Sequence, residues 1–480
     1  MSKKHSLKKT CGAILGLYVL LAVLFVVLAQ DYIRYTPEET TAVGETTEKD
    51  LGELTDGMSV MQVLDQELRY VSRVEAYFLT YGRENKGTVR MEAVDTGNDE
   101  VLDTKEITAK ELGNGAWQNF EFQNKIDTSK LQGKLGIRFV FEGSEDSSAV
   151  TMTTEAAQDD TQELLVNGEV RPGQVLCIRI GQFTDSDNTA WYYVILAAGF
   201  AILAVFCGWN LMQEKKGRIT FFVKAELMLE RYEFLIQQLV SRDFKTKYKR
   251  SVLGVFWSFL NPLLTMSVQY MVFSRIFRFQ IPAYPVYLLT GVVMFNFFSE
   301  ATTQAMNAIT GNASLITKVY VPKYIYPISK VLSTSINLLF SLIPLFLVAW
   351  LTGRGIHWAY LMIPFGIICF LVFVVGVSFF LSTAMVFFRD MQFLWGVFTM
   401  LWMYATPIIY DISILEGTFL YSFQKINPLY YYITFFRTII IDGVSPAPAM
   451  YVSCVLFALL ALLIGGAVFR KAQDQFILHI

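Results

Sequence analysis

Long apolar runs recur along the chain, and their length predicts helices that cross a membrane. A run of about 20 apolar residues is long enough to span the hydrocarbon core as a helix. The runs of this kind lie within 1–30 and 190–213 and at 251–278, 286–309, 324–351, 358–387, 392–410 and 447–469. The pattern therefore predicts an α-helical polytopic membrane protein with about 8 transmembrane helices.

Between the first two runs, the pattern changes to the alternation of half-buried strands. In residues 135–141, Leu, Ile, Phe and Phe occupy every second position, which is the period of a strand with one buried face. Residues 88–95 alternate in the same way. Residues 58–185 are therefore predicted to form an extracytoplasmic all-β sandwich. The acidic, polar residues 31–57 before it predict a flexible stalk.

Charge separates the same two regions. Residues 30–190 contain 31 Asp and Glu but 15 Lys and Arg, a net charge of −16. The rest of the chain contains 11 acidic and 25 basic residues, a net charge of +14. The basic residues cluster at the ends of apolar runs, as in cytoplasmic loops of membrane proteins. We therefore expect both termini in the cytoplasm and the β domain outside.

The start of the chain admits two interpretations. The basic stretch KKHSLKK precedes the first apolar run, as it would in a secretory signal peptide or in an uncleaved membrane helix. The apolar core is long and no small-x-small cleavage site follows VVLAQDYIRY, which favours the uncleaved helix.

The five cysteines and three histidines indicate no metal or catalytic site. Only Cys177 lies in the acidic block, so no disulfide can form within that block, and the chain has no CxxC pattern typical of metal binding. No catalytic residue and no metal ligand is predicted.

An amphipathic helix is predicted over 218–250. The apolar face of this helix consists of Leu227, Leu229, Tyr232, Leu235, Ile236 and Leu239. A basic cluster follows at its end, made of Arg242, Lys245, Lys247, Lys249 and Arg250. Next to membrane spans, this pattern favours a helix at the cytoplasmic membrane surface; an ordinary solvated helix is the alternative. Residues 251–480 then form the core with six of the predicted spans.

The 312–323 segment, NASLITKVYVPK, interrupts two apolar runs with a short amphipathic piece. Its apolar ridge consists of Leu315, Ile316, Val319 and Tyr320. Lys318 and Lys323 flank the ridge and Pro322 ends the helix, while Asn312 or Ser314 can cap its start. An exposed apolar ridge suits the groove of a partner protein. The alternative is a linker whose lysines only mark the cytoplasmic side.

Five motifs together resemble the membrane subunit of ABC-2 exporters, in the polysaccharide, O-antigen and teichoic acid branch. They are SRDFKTKYKRSVLGVFWSFLNPLL (241–264), NASLITKVYVPKYIYPIS (312–329), FFRD (387–390), TPIIY (406–410) and NPLYYYITFFR (427–437). The resemblance implies a six-helix half-transporter of the bacterial cytoplasmic membrane that forms a homodimer. It also implies a coupling helix for a separate ATPase, which falls on Asn312, Leu315, Ile316, Lys318, Val319 and Tyr320. The first 220 residues lie outside this resemblance.

The function that the resemblance implies is a permease subunit, not itself an enzyme, that exports a lipid-linked cell-surface polysaccharide or teichoic-acid-like polymer. The chain has no GxxxxGK[ST] loop to hold nucleotide phosphates, so a partner subunit is expected to bind ATP and Mg. No cofactor and no nucleic acid are expected on this chain. A membrane-bound glycan-assembly enzyme or polymerase is the alternative, and it would need paired carboxylates or a metal site. A sensor is a further alternative, and it would need a cytoplasmic output module.

Aromatic side chains make up 15% of the chain and offer flat faces that could stack on sugar rings. We predict that Tyr270, Phe273 and Phe277 line the substrate path, together with Tyr430 and Tyr431 from two re-entrant half-helices within 411–446. Packing or an interfacial belt is the alternative role for these rings. Glu300 lies inside a span, so it should face protein or water, either in an ion pair or beside the path.

Two further contacts with the substrate are hypotheses. The basic cluster from Arg242 to Arg250 lies where the diphosphate headgroup of a lipid carrier would enter, although attraction to anionic lipid would explain it equally. In the β domain, Tyr77, Tyr81 and Trp117 loosely resemble the sugar contacts of jelly-roll carbohydrate-binding modules. They could equally be core residues, in a domain that is a passive cap or a dock for a cell-wall enzyme.

Overall fold

The computed structural model describes residues 7–479 except 37, 46–48, 65–67, 145–147, 158–162, 187–188, 219, 250, 278–280, 319–320 and 416, and it leaves the side chains of 221, 222, 224–226, 228 and 229 undescribed. The chain divides into two compact units, one formed by Asp31–Tyr192 and one formed by Met1–Gln30 with Tyr193–Ile480. The first unit is a β domain and the second is helical.

The β domain contains two antiparallel sheets. Its strands are β1 (Glu39–Ala42), β2 (Lys49–Asp50), β3 (Ser59–Leu64), β4 (Tyr70–Leu79), β5 (Thr88–Asp95), β6 (Glu100–Thr108), β7 (Ala116–Asp127), β8 (Leu135–Glu142), β9 (Thr151–Ala156), β10 (Glu163–Val166), β11 (Glu169–Arg171), β12 (Gln174–Leu176) and β13 (Ile178–Phe183). One sheet has the order β1-β13-β4-β9-β12, with β7 also pairing with β4 and β2 with β9. The other has the order β11-β10-β3-β8-β5-β6.

The all-β prediction is confirmed, and the alternation in the sequence explains the core. Leu135, Ile137, Phe139 and Phe141 on β8 are all buried, whereas Arg138 and Val140 between them are partly exposed. Phe139 contacts rings from the other sheet, because Phe78 on β4 and Phe120 on β7 each lie with ring centroids 5.9 Å from it. Rows of apolar residues from both sheets thus form one core.

The structure corrects the prediction of a flexible stalk over 31–57. Residues 39–42 form β1, which pairs with β13, and residues 49–50 form β2, which pairs with β9. Leu54 is fully buried in the sandwich core. Acidic composition indicates solvation of side chains, but it does not prevent the backbone from adding strands to sheet edges that lack a partner.

The helical unit follows the predicted spans closely. Its helices are α1 (Leu7–Leu28), α2 (Gln30–Arg34, shared with the β domain), α3 (Thr189–Lys215), α4 (Phe221–Tyr248), α5 (Trp257–Tyr270, continued by a π-helix at Met271–Ile276), α6 (Tyr284–Met306), α7 (Ala313–Ile316), α8 (Ile325–Leu351), α9 (Ile363–Phe387), α10 (Met391–Ala405), α11 (Phe419–Gln424), α12 (Pro428–Arg437), α13 (Pro448–Ala472) and α14 (Phe476–His479). Five helical stretches in the described part are long and apolar enough to cross a membrane, namely Leu7–Leu28, Thr189–Lys215, Ile325–Leu351, Trp358–Phe387 and Pro448–His479. The predicted spans at 251–278, 286–309 and 392–410 correspond to the shorter or less apolar α5, α6 and α10.

Small residues allow α9 and α13 to pack against each other directly. A Cβ atom on Gly465 of α13 would lie 1.9 Å from the carbonyl oxygen of Gly376 on α9. Any larger residue would separate the two helices, and such close backbone approach is a common way to pack membrane helices.

Candidate transport site

Helix α4 begins at a capping residue and packs against the helical core along its second half. The Thr220 hydroxyl accepts a hydrogen bond from the backbone N–H of Val223 at 3.4 Å. Leu239 is buried among residues of several helices, and Tyr232, Leu235 and Ile236 pack beside it. This part of the predicted apolar face therefore contacts protein. Leu227 is exposed, and the side chain of Leu229 lies outside the described residues.

The basic cluster at the end of α4 divides into two groups. The Arg242 guanidinium contacts Asp243 at 3.0 Å and donates to the Asn312 side-chain oxygen at 3.4 Å. Lys247 forms an ion pair with Glu300 at 2.5 Å. Lys245 and Lys249 are exposed, and Arg250 lies outside the described residues.

Glu300 on α6 therefore meets the expectation that a carboxylate within a span contacts a basic group. Its Oε1 also accepts a hydrogen bond from the Gln304 side chain at 2.7 Å. A second ion pair joins α4 to α8, because the Lys330 ammonium lies 2.8 Å from the Asp243 carboxylate. Glu300 is thus ion-paired and also borders a cavity, while its place beside a substrate path stays a prediction.

This cavity, which we call the polar cavity, has a volume of about 280 Å³. It is lined by Lys247, Tyr248, Trp257, Ser258, Asn261, Pro262, Val293, Asn296, Phe297, Glu300, Thr334, Asn337, Leu338 and Ser341. A neighbouring cavity of about 230 Å³ shares Lys247, Thr334 and Asn337 with it. Helices α4, α5, α6 and α8 thus line an open cavity with residues that are mostly polar.

Hydrogen bonds between helices fix one wall of the polar cavity. The Tyr248 hydroxyl lies 2.5 Å from the Ser258 hydroxyl and donates to the Asn337 side-chain oxygen at 2.9 Å. Ser341 donates to the backbone carbonyl of Ser258 at 3.2 Å. Sequence reasoning missed these residues, although an asparagine inside an apolar run, as at 261, 296 and 337, is a signal that could have found them.

The 312–323 segment differs from its prediction. Its described helix, α7, ends at Ile316, well before Pro322, and Val319 and Tyr320 lie outside the described residues. Ile316 is buried and Leu315 packs against the same cluster, which includes Leu239. The predicted exposed apolar ridge is therefore wrong for Ile316, which the core covers, and Leu315 is half-buried against the same cluster.

The exposed residues of this segment are polar, and its ends are tied to other parts of the chain. Ser314, Thr317 and Lys318 are exposed. Asn312 makes no capping hydrogen bond; it donates instead to the carbonyl of Ala308 at 2.8 Å. The Lys323 ammonium donates to the carbonyl of Gln473, next to the buried Phe476 of α14.

The predicted path aromatics are all at least partly exposed. Tyr270 and Phe277 are exposed, and Phe273 stacks on Phe277 with centroids 5.2 Å apart. Tyr430 and Tyr431 on α12 are partly exposed and in contact with each other. By contrast, three other rings of α12 are fully buried and belong to the core: Tyr432, Phe435 and Phe436.

Arg437, at the end of α12, is a buried residue that sequence reasoning missed. It donates to the carbonyls of Pro407 and Ile408 at 2.7 and 2.9 Å, and its guanidinium lies 3.3 Å from the ring centroid of Tyr287. These contacts join the TPIIY and NPLYYYITFFR motifs, so the motifs fix the junction of α10 with α12.

In the β domain, the predicted sugar contacts lie at separate places. Tyr77 and Trp117 are paired neighbours on β4 and β7, with ring centroids 5.3 Å apart. The Arg179 guanidinium lies 4.1 Å from the Trp117 ring, so one face of that ring is already covered. Tyr81 is exposed, and its hydroxyl donates to Asp50 at 3.0 Å.

The sequence is similar to known transport proteins. A family model described as ABC-2 type transporter matches residues 234–441. The chain is 30% identical over 245 residues to the O-antigen export system permease protein RfbA of Klebsiella pneumoniae, covering 50% of this chain and 93% of that protein. The corresponding protein of Myxococcus xanthus is 28% identical over 250 residues, covering 52% of this chain and 96% of that protein.

A more distant relative is the polysialic acid transport protein KpsM of Escherichia coli. It is 21% identical over 244 residues, which cover 50% of this chain and 93% of that protein. The matched family region contains the second half of α4, the 312–323 segment and the helices around the polar cavity. On these similarities and this fold, the chain belongs to the ABC-2 transporter family.

Proposed function

We propose that this chain is the permease subunit of an ATP-driven exporter that moves a cell-surface polysaccharide across the bacterial cytoplasmic membrane. The observation that carries the proposal is the continuity between the 312–323 segment, α4 and the polar cavity. Arg242 of α4 contacts Asn312 at 3.4 Å, and Lys247 of the same helix borders the cavity. Movement of the segment would therefore reach the cavity through a single helix.

A separate ATPase subunit would supply the energy and would bind ATP and Mg. The sequence contains no phosphate-binding GxxxxGK[ST] loop, and the 312–323 segment resembles the coupling helix of the family. The exposed side chains of Ser314, Thr317 and Lys318 would contact this partner, while the buried Ile316 holds the segment to the core. Two copies of the chain would complete the transporter, and both termini would lie in the cytoplasm.

A lipid-linked polymer, either O-antigen-like or teichoic-acid-like, would enter beside α4. Lys245 and Lys249 are exposed and would attract an anionic headgroup. Lys247 has a different role, because its ammonium is already paired with Glu300 at 2.5 Å. Tyr270, Phe273, Phe277, Tyr430 and Tyr431 would contact the sugar chain further along the path, and the β domain would meet the emerging polymer.

Charge reversal distinguishes the attraction of a headgroup by Lys245 and Lys249 from the ion pair that Lys247 forms with Glu300. We expect K245E/K249E to reduce surface polymer several-fold with normal membrane insertion, because both substitutions repel an anionic headgroup. K247E should also reduce export, and the swapped pair K247E/E300K should restore much of it, because the ion pair is rebuilt. Surface polymer and membrane-inserted permease are measured in parallel. Normal export by K245E/K249E would contradict the headgroup role.

The proposed function as a whole is tested by reconstitution. The permease is purified with its ATPase, placed in vesicles with the polymer of the producing cell, and supplied with ATP. ATP-dependent appearance of polymer on the far side is expected. A complex that hydrolyses ATP but moves no polymer would overturn the proposal.

A further inference from the structure

We propose that the polar cavity is a selective binding site for an uncharged, hydroxyl-rich sugar unit of the transported polymer, and that Asn261 and Asn296 are its specificity-determining residues. This inference rests on the proposed export function, because it assigns a substrate contact to the same permease. It differs from the headgroup role of Lys245 and Lys249, since it concerns neutral groups inside the helical unit.

The first argument is the state of the two asparagines. Asn261 on α5 and Asn296 on α6 are exposed and line the polar cavity. Within the part of the chain that the structure describes, neither amide has a hydrogen-bond partner. An exposed amide without a partner in the protein can both donate to and accept from a bound ligand.

Other asparagines on the long helices of this unit are satisfied. Asn210 donates to the carbonyl of Phe206 at 2.8 Å and accepts from the Thr220 hydroxyl. Asn427 accepts from Trp402 at 2.8 Å and donates to Thr406 at 2.9 Å. Asn337, on the wall of the polar cavity, accepts from Tyr248. Asn261 and Asn296 differ from these asparagines in that their amides are open to the cavity.

The second argument is the charge of the lining. Lys247 and Glu300 are the two charged residues among the described residues that line the cavity, and they neutralise each other at 2.5 Å. An anionic ligand would have to compete with Glu300 for Lys247. A sugar hydroxyl needs no such exchange, because it both donates and accepts hydrogen bonds, as an asparagine amide does.

The third argument is the presence of an aromatic surface at the same site. Trp257 lines the polar cavity with 45% of its surface exposed. An exposed indole ring next to amide groups offers both an apolar face and hydrogen-bond partners, which suits a sugar ring with its C–H and O–H groups.

The test replaces the two amides by side chains of similar size that cannot form hydrogen bonds. The N261L/N296L permease is compared with the wild type and with S267L, a control on α5 whose serine is exposed but does not line the cavity. The complete permease–ATPase complex in nanodiscs is titrated with the repeat-unit oligosaccharide released from the polymer of the producing cell. Export by cells is measured in parallel.

We expect the wild type and S267L to bind the oligosaccharide, and N261L/N296L to bind it at least about tenfold more weakly, as the loss of one or two hydrogen bonds predicts. Surface polymer should fall with the same variant, whereas S267L should keep both surface polymer and basal ATPase activity at the wild-type level. If the leucine variant does not insert, N261A/N296A is scored by the same measurements.

Wild-type affinity and export in the inserted double variant would overturn this inference and leave the export function intact. Failure of the wild-type complex to export any polymer would instead overturn the proposed function. Equal losses in S267L and in the double variant would also overturn the inference, because the effect would not depend on the cavity.

Discussion

The β domain and the helical unit place polar and apolar residues in opposite ways. In the β domain, Val60, Phe78 and Phe139 are fully buried, while the half-buried Arg138 forms an ion pair with Glu92. In the helical unit, Leu347, Val397 and Leu463 are exposed, while the polar cavity collects amides and hydroxyls. The β domain therefore buries its apolar residues away from water, whereas the helical unit exposes apolar residues and gathers polar ones in a cavity.

The comparison shows that burial has a different meaning in each unit. Water drives apolar side chains of the β domain into one core. Lipid gives no such drive to an exposed leucine, so the helices are held by close packing and by polar contacts. The largest effects of mutation should therefore come from apolar truncation in the β domain and from changes of polarity in the helical unit.

The largest effect is expected for Phe139→Ala in the β domain. Phe139 is fully buried and contacts Phe78 and Phe120, so its loss should lower the free energy of unfolding by about 3–5 kcal/mol. Val140→Ala, at the partly exposed neighbouring position, is the matched control. Thermal unfolding of the β domain in the full-length protein measures both, and equal effects would contradict a two-sheet core.

Ile316→Asp should have a similarly large effect, but a local one. It removes a buried side chain, worth about 2–5 kcal/mol, and adds a charge to the cluster around Leu239. We expect loss of both ATPase association and export. Lys318→Glu, at an exposed neighbouring position, should weaken ATPase association while the permease stays folded. Copurification of the ATPase with each variant is the measurement. Full association of the ATPase with the Ile316→Asp permease would contradict the conclusion that buried Ile316 holds the segment to the core.

A smaller, pH-dependent effect is expected at Asp95 in the β domain. Hydrogen bonds from the backbone N–H groups of Gly97, Gln132 and Gly133 hold the pKa of its carboxyl below the ordinary value. The stability from this shift is present above the unfolded pKa of about 4 and is lost as the pH falls through the lowered folded pKa.

Asp95→Asn should therefore lower the melting temperature of the β domain at pH 7, and the deficit should shrink as the pH approaches 3. Glu111→Gln, at an exposed position, is the control and should show no such trend. The melting temperature of the full-length protein across this pH range is the measurement. A deficit that does not change with pH would argue against the shifted carboxyl.

The smallest effect is expected where α1 meets the helical core. Phe25 of α1 lies edge-on to Tyr451 of α13 with ring centroids 5.2 Å apart, and Tyr451 in turn contacts Phe435 of α12. Loss of one aromatic pair in Phe25→Ala should cost about 0.5–1.5 kcal/mol beyond the loss of buried area. Cysteine crosslinking between α1 and α13 should become less efficient, whereas Val27→Ala, at an exposed position of α1, should leave it unchanged.

Local periodicity predicted the elements of both units but not their partners. The alternation at 135–141 predicted β8 and its buried face, and apolar length predicted helices at each expected span. The polar composition of residues 31–57 wrongly predicted a flexible stalk. Composition is a local property, whereas the pairing of β1 with β13 joins positions about 140 residues apart. The short helix α7 was expected, but the cover over Ile316 comes from residues on α4, α8, α9 and α13.

Local sequence patterns were enough to establish the class of the protein, the order of its elements and its family, because each depends on periodicity over a few turns or on motifs in order. Which polar residues meet depended on tertiary packing. Lys247 and Glu300 lie 53 positions apart and Tyr248 and Asn337 lie 89 apart, and packing of α4 against α6 and α8 brings them together. The spacing of apolar residues indicates whether a side chain is buried or exposed, whereas contacts between distant residues depend on how whole helices pack.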